Sequence, residues 1–202
     1  MLWVVKLGGS FWAADSLLSW LEVLAEGPVV VVPGGGVFAD AVREAQQRWK
    51  FDNQLAHTLA ISAMHQYGLM LQGLCPRLQT GTPANSLKTA IKKGKSVLWL
   101  PDAEQLAEQR IRASWDVTSD SLAAWLAEQL GAQHLLLIKS AHPPTGSVSI
   151  TELIRAEWVD KAFLEMTGGC RYQIWLSGPE QHTQFMAGLA KPHAVFSPAL
   201  CR

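Results

Sequence analysis

Two short apolar runs, each stopped by glycines, constrain this chain more than any other feature. Residues 2–7 read LWVVKL and end at Gly8-Gly9. Residues 29–32 read VVVV and end at Pro33, followed by Gly34, Gly35 and Gly36. Neither run alternates apolar with polar residues, so neither suits a sheet with one wet face. Continuous Val/Leu runs of this kind fit parallel strands covered by helices on both sides. Three more runs follow the pattern: SVLWLP at 96–101, LLLIK at 135–139 and YQIWLS at 172–177. Between them lie helical stretches at 14–25, 37–49, 54–72 and 119–130, and Pro179 is expected to open a last helix. In the first, Leu17, Leu18, Leu21 and Leu24 share a face; in the fourth, Leu122, Trp125, Leu126 and Leu130 do. Region 80–96 takes no clear assignment. The expected fold is α/β, a three-layer αβα sandwich with a mainly parallel sheet, built as one domain over 1–202.

Composition narrows the function classes. With 202 residues, 49% apolar and 17% charged, the chain can bury one sizeable core and is not a disordered segment. Lys plus Arg balances Asp plus Glu at 17 each, so no excess basic charge supports sequence-independent nucleic-acid binding. Cys75, Cys170 and Cys201 lack CxxC spacing, which argues against a disulfide framework or a zinc site and suits a reducing cytoplasm. The start, MLWVVKLGGS, has neither the basic flank of a signal peptide nor the length of a membrane span.

The glycine clusters are where chemistry is expected. In open α/β sheets ligands bind beyond the carboxyl ends of the strands. Glycine there lets backbone N–H groups approach an anion, and a following helix N-terminus adds a favourable dipole. Two such loops suggest two phosphate or carboxylate groups held close together. Common signatures are missing: no GxxxxGK[ST], no GxGxxG, no GxSxG and no HExxH. The six histidines are scattered, and no side-chain metal site is expected. A third cluster reads Trp115-Asp116-Val117-Thr118-Ser119-Asp120-Ser121. Ser119 or Asp120 could cap the helix that follows, but capping accounts for one residue, not for two aspartates four apart.

VVKLGGS, VVVPGGG and WDVTSDSLAAWLA, in that order, resemble the amino-acid kinase superfamily, which includes acetylglutamate, uridylate and isopentenyl phosphate kinases. GGGVFADAVR, FDNQLAHTLAISAMHQYG and WDVTSDS are most similar to a small branch, the [5-(aminomethyl)furan-3-yl]methyl phosphate kinases of methanofuran biosynthesis, whose relatives serve C1 metabolism. The resemblance implies an ATP-dependent kinase with Mg2+ bridging the nucleotide phosphates, and a phosphomonoester acceptor converted to a diphosphate. The acceptor side would lie mainly in 1–100 and the nucleotide side in 101–202. Homo-oligomers are usual in such relatives.

Residue by residue, the resemblance makes Lys6 the lysine at the transferring phosphoryl group and Asp120 the aspartate that organises the catalytic lysines. A second catalytic lysine is expected late in the chain, and Lys161 fits by order; the competing reading is an exposed helix lysine. Gly8, Gly9 and Ser10 would contact nucleotide phosphate, while Gly34, Gly35, Gly36 and Asp116 would face the acceptor. Where relatives carry TD after the fourth strand, this chain reads Ile138-Lys139-Ser140-Ala141-His142-Pro143. Lys139 could meet a nucleotide phosphate, but the departure leaves room for a non-catalytic nucleotide-binding protein. Asp40 stands where isopentenyl phosphate kinases carry a histidine. Arg43, a helical turn on, could supply positive charge, and His57 could face the acceptor or be a core residue. No general base stands out. An already ionised phosphate acceptor needs none, whereas an alcohol would call on Asp40 or His57. An acyl-phosphate-forming kinase is a further alternative on the same fold.

Overall fold

The computed structural model describes residues 1–109, 111–144 and 146–200. Cys201 lies outside them. The first half runs β1 (Trp3–Leu7), α1 (Leu17–Leu24), β2 (Val29–Pro33), α2 (Gly36–Trp49), α3 (Asn53–Leu74), β3 (Gln79–Gly81), α4 (Ala84–Lys92) and β4 (Val97–Trp99). The second runs α5 (Ala103–Glu108), α6 (Ser119–Leu130), β5 (His134–Ile138), β6 (Val148–Ser149), α7 (Ile150–Arg155), α8 (Phe163–Met166), β7 (Gln173–Ser177), α9 (Phe185–Ala190) and β8 (Ser197–Leu200). Region 80–96, unassigned from the sequence, holds the end of β3 and α4. Pro179 does not open a helix directly: a 3-10 turn over Gln181–Gln184 intervenes before α9.

The strands form one eight-stranded sheet in the order β3-β4-β2-β1-β5-β7-β8-β6. All pairings are parallel except β7 with β8. Strand alternation explains the two cores. Val4, Val30, Val32, Leu135 and Leu137 pack on the α6 side, while Val5, Leu7, Val29, Val31, Leu136 and Ile138 pack on the α1 side. Each central strand is buried along its whole length because both alternating sets meet helices.

α3 stands apart. Its 22 residues include no Lys, Arg, Asp or Glu, although one face is open. Asp52 caps it, accepting from the Leu55 N–H at 2.8 Å. Among the described residues, no helix is long and apolar enough to cross a membrane.

Candidate active site

Alternation also delivers the site. Lys6 lies two residues beyond Val4 and shares its face of β1, towards α6. Lys139 continues the row Leu135, Leu137 just past the end of β5. β1 and β5 are neighbours, with Leu7 opposite Ile138. Both ammonium groups therefore emerge at the carboxyl end of the sheet, beside the first turn of α6, where Asp120 sits.

Lys139 Nζ donates to Asp120 Oδ2 at 2.7 Å. Lys6 Nζ lies 2.9 Å from Asp120 Oδ1, an ion contact rather than an aligned hydrogen bond. Lys6 and Asp120 are each 4% exposed. Burial lowers the Lys6 pKa to about 8, against the pull of Asp120 and with Lys139 adding to the fall. Burial alone would raise the Asp120 carboxyl; Lys139 and then Lys6 outweigh it and hold it at about 2. Two ammonium groups around one carboxylate leave the centre with a surplus positive charge, an arrangement suited to an incoming anion.

The glycine loops meet backbone to backbone. A Cβ on Gly34 would strike the Gly9 nitrogen, and one on Gly9 would strike the Gly36 nitrogen. Gly36 has φ +52, a left-handed conformation that favours glycine. The Gly8 N–H is already given to Ile138 O at 3.0 Å, which ties the first loop to the end of β5. Ser10 and Ser140 hydroxyls lie 2.7 Å apart, a second tie between the same loops.

Two openings flank the second glycine loop. A cavity of about 80 Å³ is lined by Gly35, Arg43, His57, Trp115 and Ser119 among apolar side chains that include Ile61, Met64 and Leu122. The Arg43 guanidinium lies 4.5 Å from the centre of the Trp115 ring, whose Nε1–H donates to Gln46 Oε1 at 2.6 Å. Burial lowers the His57 pKa, so the imidazole is neutral at pH 7. Asp40 lines a different cleft, of about 410 Å³, with Gly9, Ser10, Trp12 and Gly36. A third cleft, of about 200 Å³, is lined by Trp99 and Trp125 and touches neither glycine loop.

The structure thus brings Lys6, Asp120 and Lys139 together and places Gly35, Arg43 and His57 around one cavity. Lys161 is elsewhere: its side chain is 80% exposed, and its Nζ lies 3.8 Å from Asp116 Oδ1. Asp116 also faces Arg112 at 3.9 Å. The N-cap position expected of Ser119 or Asp120 is held instead by Thr118, just before α6, with Asp160 supplying the carboxylate. Sequence reading passed over Asp160, Ser140 and Trp115 as site residues. Trp115 carried a local signal in the WDVTSDS string and Ser140 in the segment after Lys139; Asp160 carried none. Among the described residues, no three metal-ligating side chains cluster.

The model of the amino acid kinase family matches residues 1–142, a span that holds Lys6, both glycine loops, Asp120 and Lys139. This chain belongs to the amino acid kinase family. The Methanocaldococcus jannaschii protein named [5-(aminomethyl)furan-3-yl]methyl phosphate kinase is 31% identical over 138 residues, covering 66% of this chain and 63% of that protein. The match therefore spans less than two thirds of that relative's length. Two solved structures share the fold of this family member. The uridylate kinase from Archaeoglobus fulgidus has TM-score 0.71, 17% identity and coverage of 99% of this chain and 100% of its own. The UMP kinase from Ureaplasma parvum has TM-score 0.70, 14% identity and coverage of 98% of each.

Proposed function

We propose that the protein is an ATP-dependent kinase that transfers a phosphoryl group to a small phosphomonoester, giving a diphosphate. The observation that carries this reading is the buried Lys6–Asp120–Lys139 centre with its surplus positive charge beside two abutting glycine loops. Phosphoryl transfer needs positioning and charge neutralisation more than covalent help. An acceptor phosphate oxygen would attack the γ-phosphorus in line as the bond to the β–γ bridging oxygen breaks and ADP leaves. Lys6 would face the moving group, and Lys139, the second lysine of the centre, would face the nucleotide phosphates. The Gly9 loop and the start of α2 would hold phosphate oxygens. Asp120 is engaged by both lysines, so Mg2+, when present, would be held by the nucleotide phosphates and would supply further neutralisation of their charge.

The acceptor is proposed to be [5-(aminomethyl)furan-3-yl]methyl phosphate. Support comes from the name of the Methanocaldococcus relative and from the cavity itself. The cavity walled by Trp115, Ile61, Met64 and Leu122 offers an apolar face for a single ring, with Arg43 and His57 as its polar lining. Arg43 would meet the acceptor phosphate. The nucleotide would dock on residues from 101 onward and the acceptor mainly on residues before that, with Trp115 to Leu122 closing the acceptor side.

The test is a coupled ATPase assay with Mg-ATP and a panel of the furan phosphate, UMP, isopentenyl phosphate, an acyl amino acid and a plain alcohol. ADP release with the furan phosphate is expected. Release with another acceptor would keep the kinase and replace its substrate. Tight ATP binding with no release anywhere on the panel would overturn the kinase reading in favour of a nucleotide-binding role.

We also propose a homodimer through α3. Leu55, Leu59, Ser62, Gln66, Leu69 and Gly73 are all exposed and follow the four-three spacing of a packing seam. An antiparallel copy would set 55 against 73, 59 against 69 and 62 against 66, so the face is self-complementary about a two-fold axis. Leu59→Glu is expected to halve the mass measured by sedimentation; an unchanged mass would discard this interface.

A further inference from the structure

We propose that Asp160 is the positioning residue of this centre: it grips the first turn of α6 from outside the helix and so sets the Asp120 carboxylate between the two lysines. This rests on the reading of Lys6, Asp120 and Lys139 as the phosphoryl-transfer centre.

One carboxylate takes four donors. Asp160 Oδ2 accepts from the Thr118 N–H at 2.8 Å, the Thr118 hydroxyl at 2.7 Å and the Ser121 N–H at 3.0 Å. Its Oδ1 accepts from the Ser121 hydroxyl. Asp120 lies between the two residues so held. Thr118 is the N-cap residue just before α6, yet its side chain makes no cap hydrogen bond to the helix. The hydroxyl that would ordinarily do so is spent on Asp160, which does the capping from a distant segment.

The neighbours of Asp160 extend the grip. The Ala162 N–H donates to Asp116 O at 3.0 Å, pinning the start of the same string. Lys161 faces the Asp116 carboxylate. The Lys139 ammonium lies 5.7 Å from the centre of the Trp158 ring. Residues 158–162 therefore touch both the helix that carries Asp120 and the lysine that pairs with it. The side-chain hydrogen bonds of Asp160 all go to Thr118, which caps α6, and to Ser121 in its first turn. Its role runs through Asp120, not through substrate.

This assigns a different meaning to the late segment in which Lys161 is the expected catalyst. The residue beside it does the work, as an anchor. Because the Asp120 carboxylate opposes the effect of burial on the Lys6 ammonium, a loosened α6 turn must show in Lys6 before any substrate is added.

The experiment follows the Lys6 titration by NMR of 13C-labelled lysine in the full chain, alongside kinetics and thermal melting, for Asp160→Ala, Asp160→Asn and Ser121→Ala. Asp160→Ala is expected to lower the Lys6 midpoint by about half a pH unit or more, as Asp120 drifts from it. It is expected to cut kcat roughly tenfold to a hundredfold, with KM for ATP and acceptor within about threefold. Asp160→Asn, which keeps one acceptor oxygen, should recover part of both effects, and Ser121→Ala should produce a weaker version of them. A lower melting temperature with Lys6 titration and kcat unchanged would reduce Asp160 to a plain helix cap and overturn the proposal. If Asp160→Ala does not fold, Ser121→Ala decides by the same two readouts. Should no acceptor turn over, the NMR arm still decides Asp160, so the two readings fail separately.

Discussion

Lys6 is a charged residue in a place that penalises charge. Its folded pKa of about 8 lies below the ordinary 10.5, so keeping it protonated costs stability below that range, and the cost fades as pH rises from about 8 to 10.5. Asp120 works the other way. Its pKa falls from 3.8 to about 2, so its contribution is present above 3.8 and is lost as pH falls through about 2. Lys6→Met leaves Asp120 paired with Lys139 and removes a buried charge. It is expected to leave the melting temperature unchanged or higher while cutting kcat by at least about a hundredfold. Lys139→Ala should also cost at least about tenfold, whereas Lys161→Ala should stay within about twofold of the parent. Equal losses for Lys139 and Lys161 would return the second-lysine role to Lys161. Rate against pH should fall above about 8, as Lys6 loses its proton.

At the scale of elements, the two glycine loops form one object. Neither Gly9 nor Gly34 can gain a methyl group without pushing on the other loop's backbone. Gly34→Ala is expected to abolish ATP-dependent turnover and to lower stability by about 1–3 kcal/mol, measured by urea titration. A variant that melts and turns over normally would show that the loops have room the packing denies. These loops were legible in the sequence because glycine after a buried strand has few other readings. So were β1, β2, β5 and α6, whose long apolar patterns leave little choice. β3, β6 and β8 were not. They have three, two and four residues, and β8 contains Pro198, which reads against a strand. Asp160 was illegible for a different reason. Capping is read from neighbours in sequence, and here the cap comes across 39 to 42 residues. Lys139 could be placed at a strand end, but its partner could be known only once β1 and β5 lay side by side.

Across the whole molecule, the end of the sheet opposite the active site is held by aromatic rings. His134 stacks on Trp3 with centroids 4.2 Å apart, and its Nδ1 accepts the Trp175 Nε1–H at 3.1 Å. Burial, with the N-terminal ammonium second, lowers its pKa below the ordinary 6.5. The neutral ring is the one that can accept from Trp175. A lowered histidine pKa makes the unfolded state bind protons first, so stability should fall as pH drops below 6.5. His134→Asn is expected to flatten that acid limb in melts between about pH 6.5 and 5. An unchanged slope would place the acid sensitivity elsewhere.

The sheet order has a consequence in time as well as in space. β1 is flanked by β2 on one side and by β5 on the other, so residues 3–7 wait for residues 134–138 before their second edge closes. Contacts so distant in sequence form slowly, because the intervening chain must be gathered first. On the ribosome, a Trp-Val-Val edge stands open while more than half the chain is still being made, a hazard for sticking to other strands. Lys6 sits on β1 and Lys139 just past the end of β5, the two strands that close that edge. The Lys6–Asp120–Lys139 centre is thus assembled by a long-range pairing of the central sheet, and the onset of turnover during refolding would time that pairing.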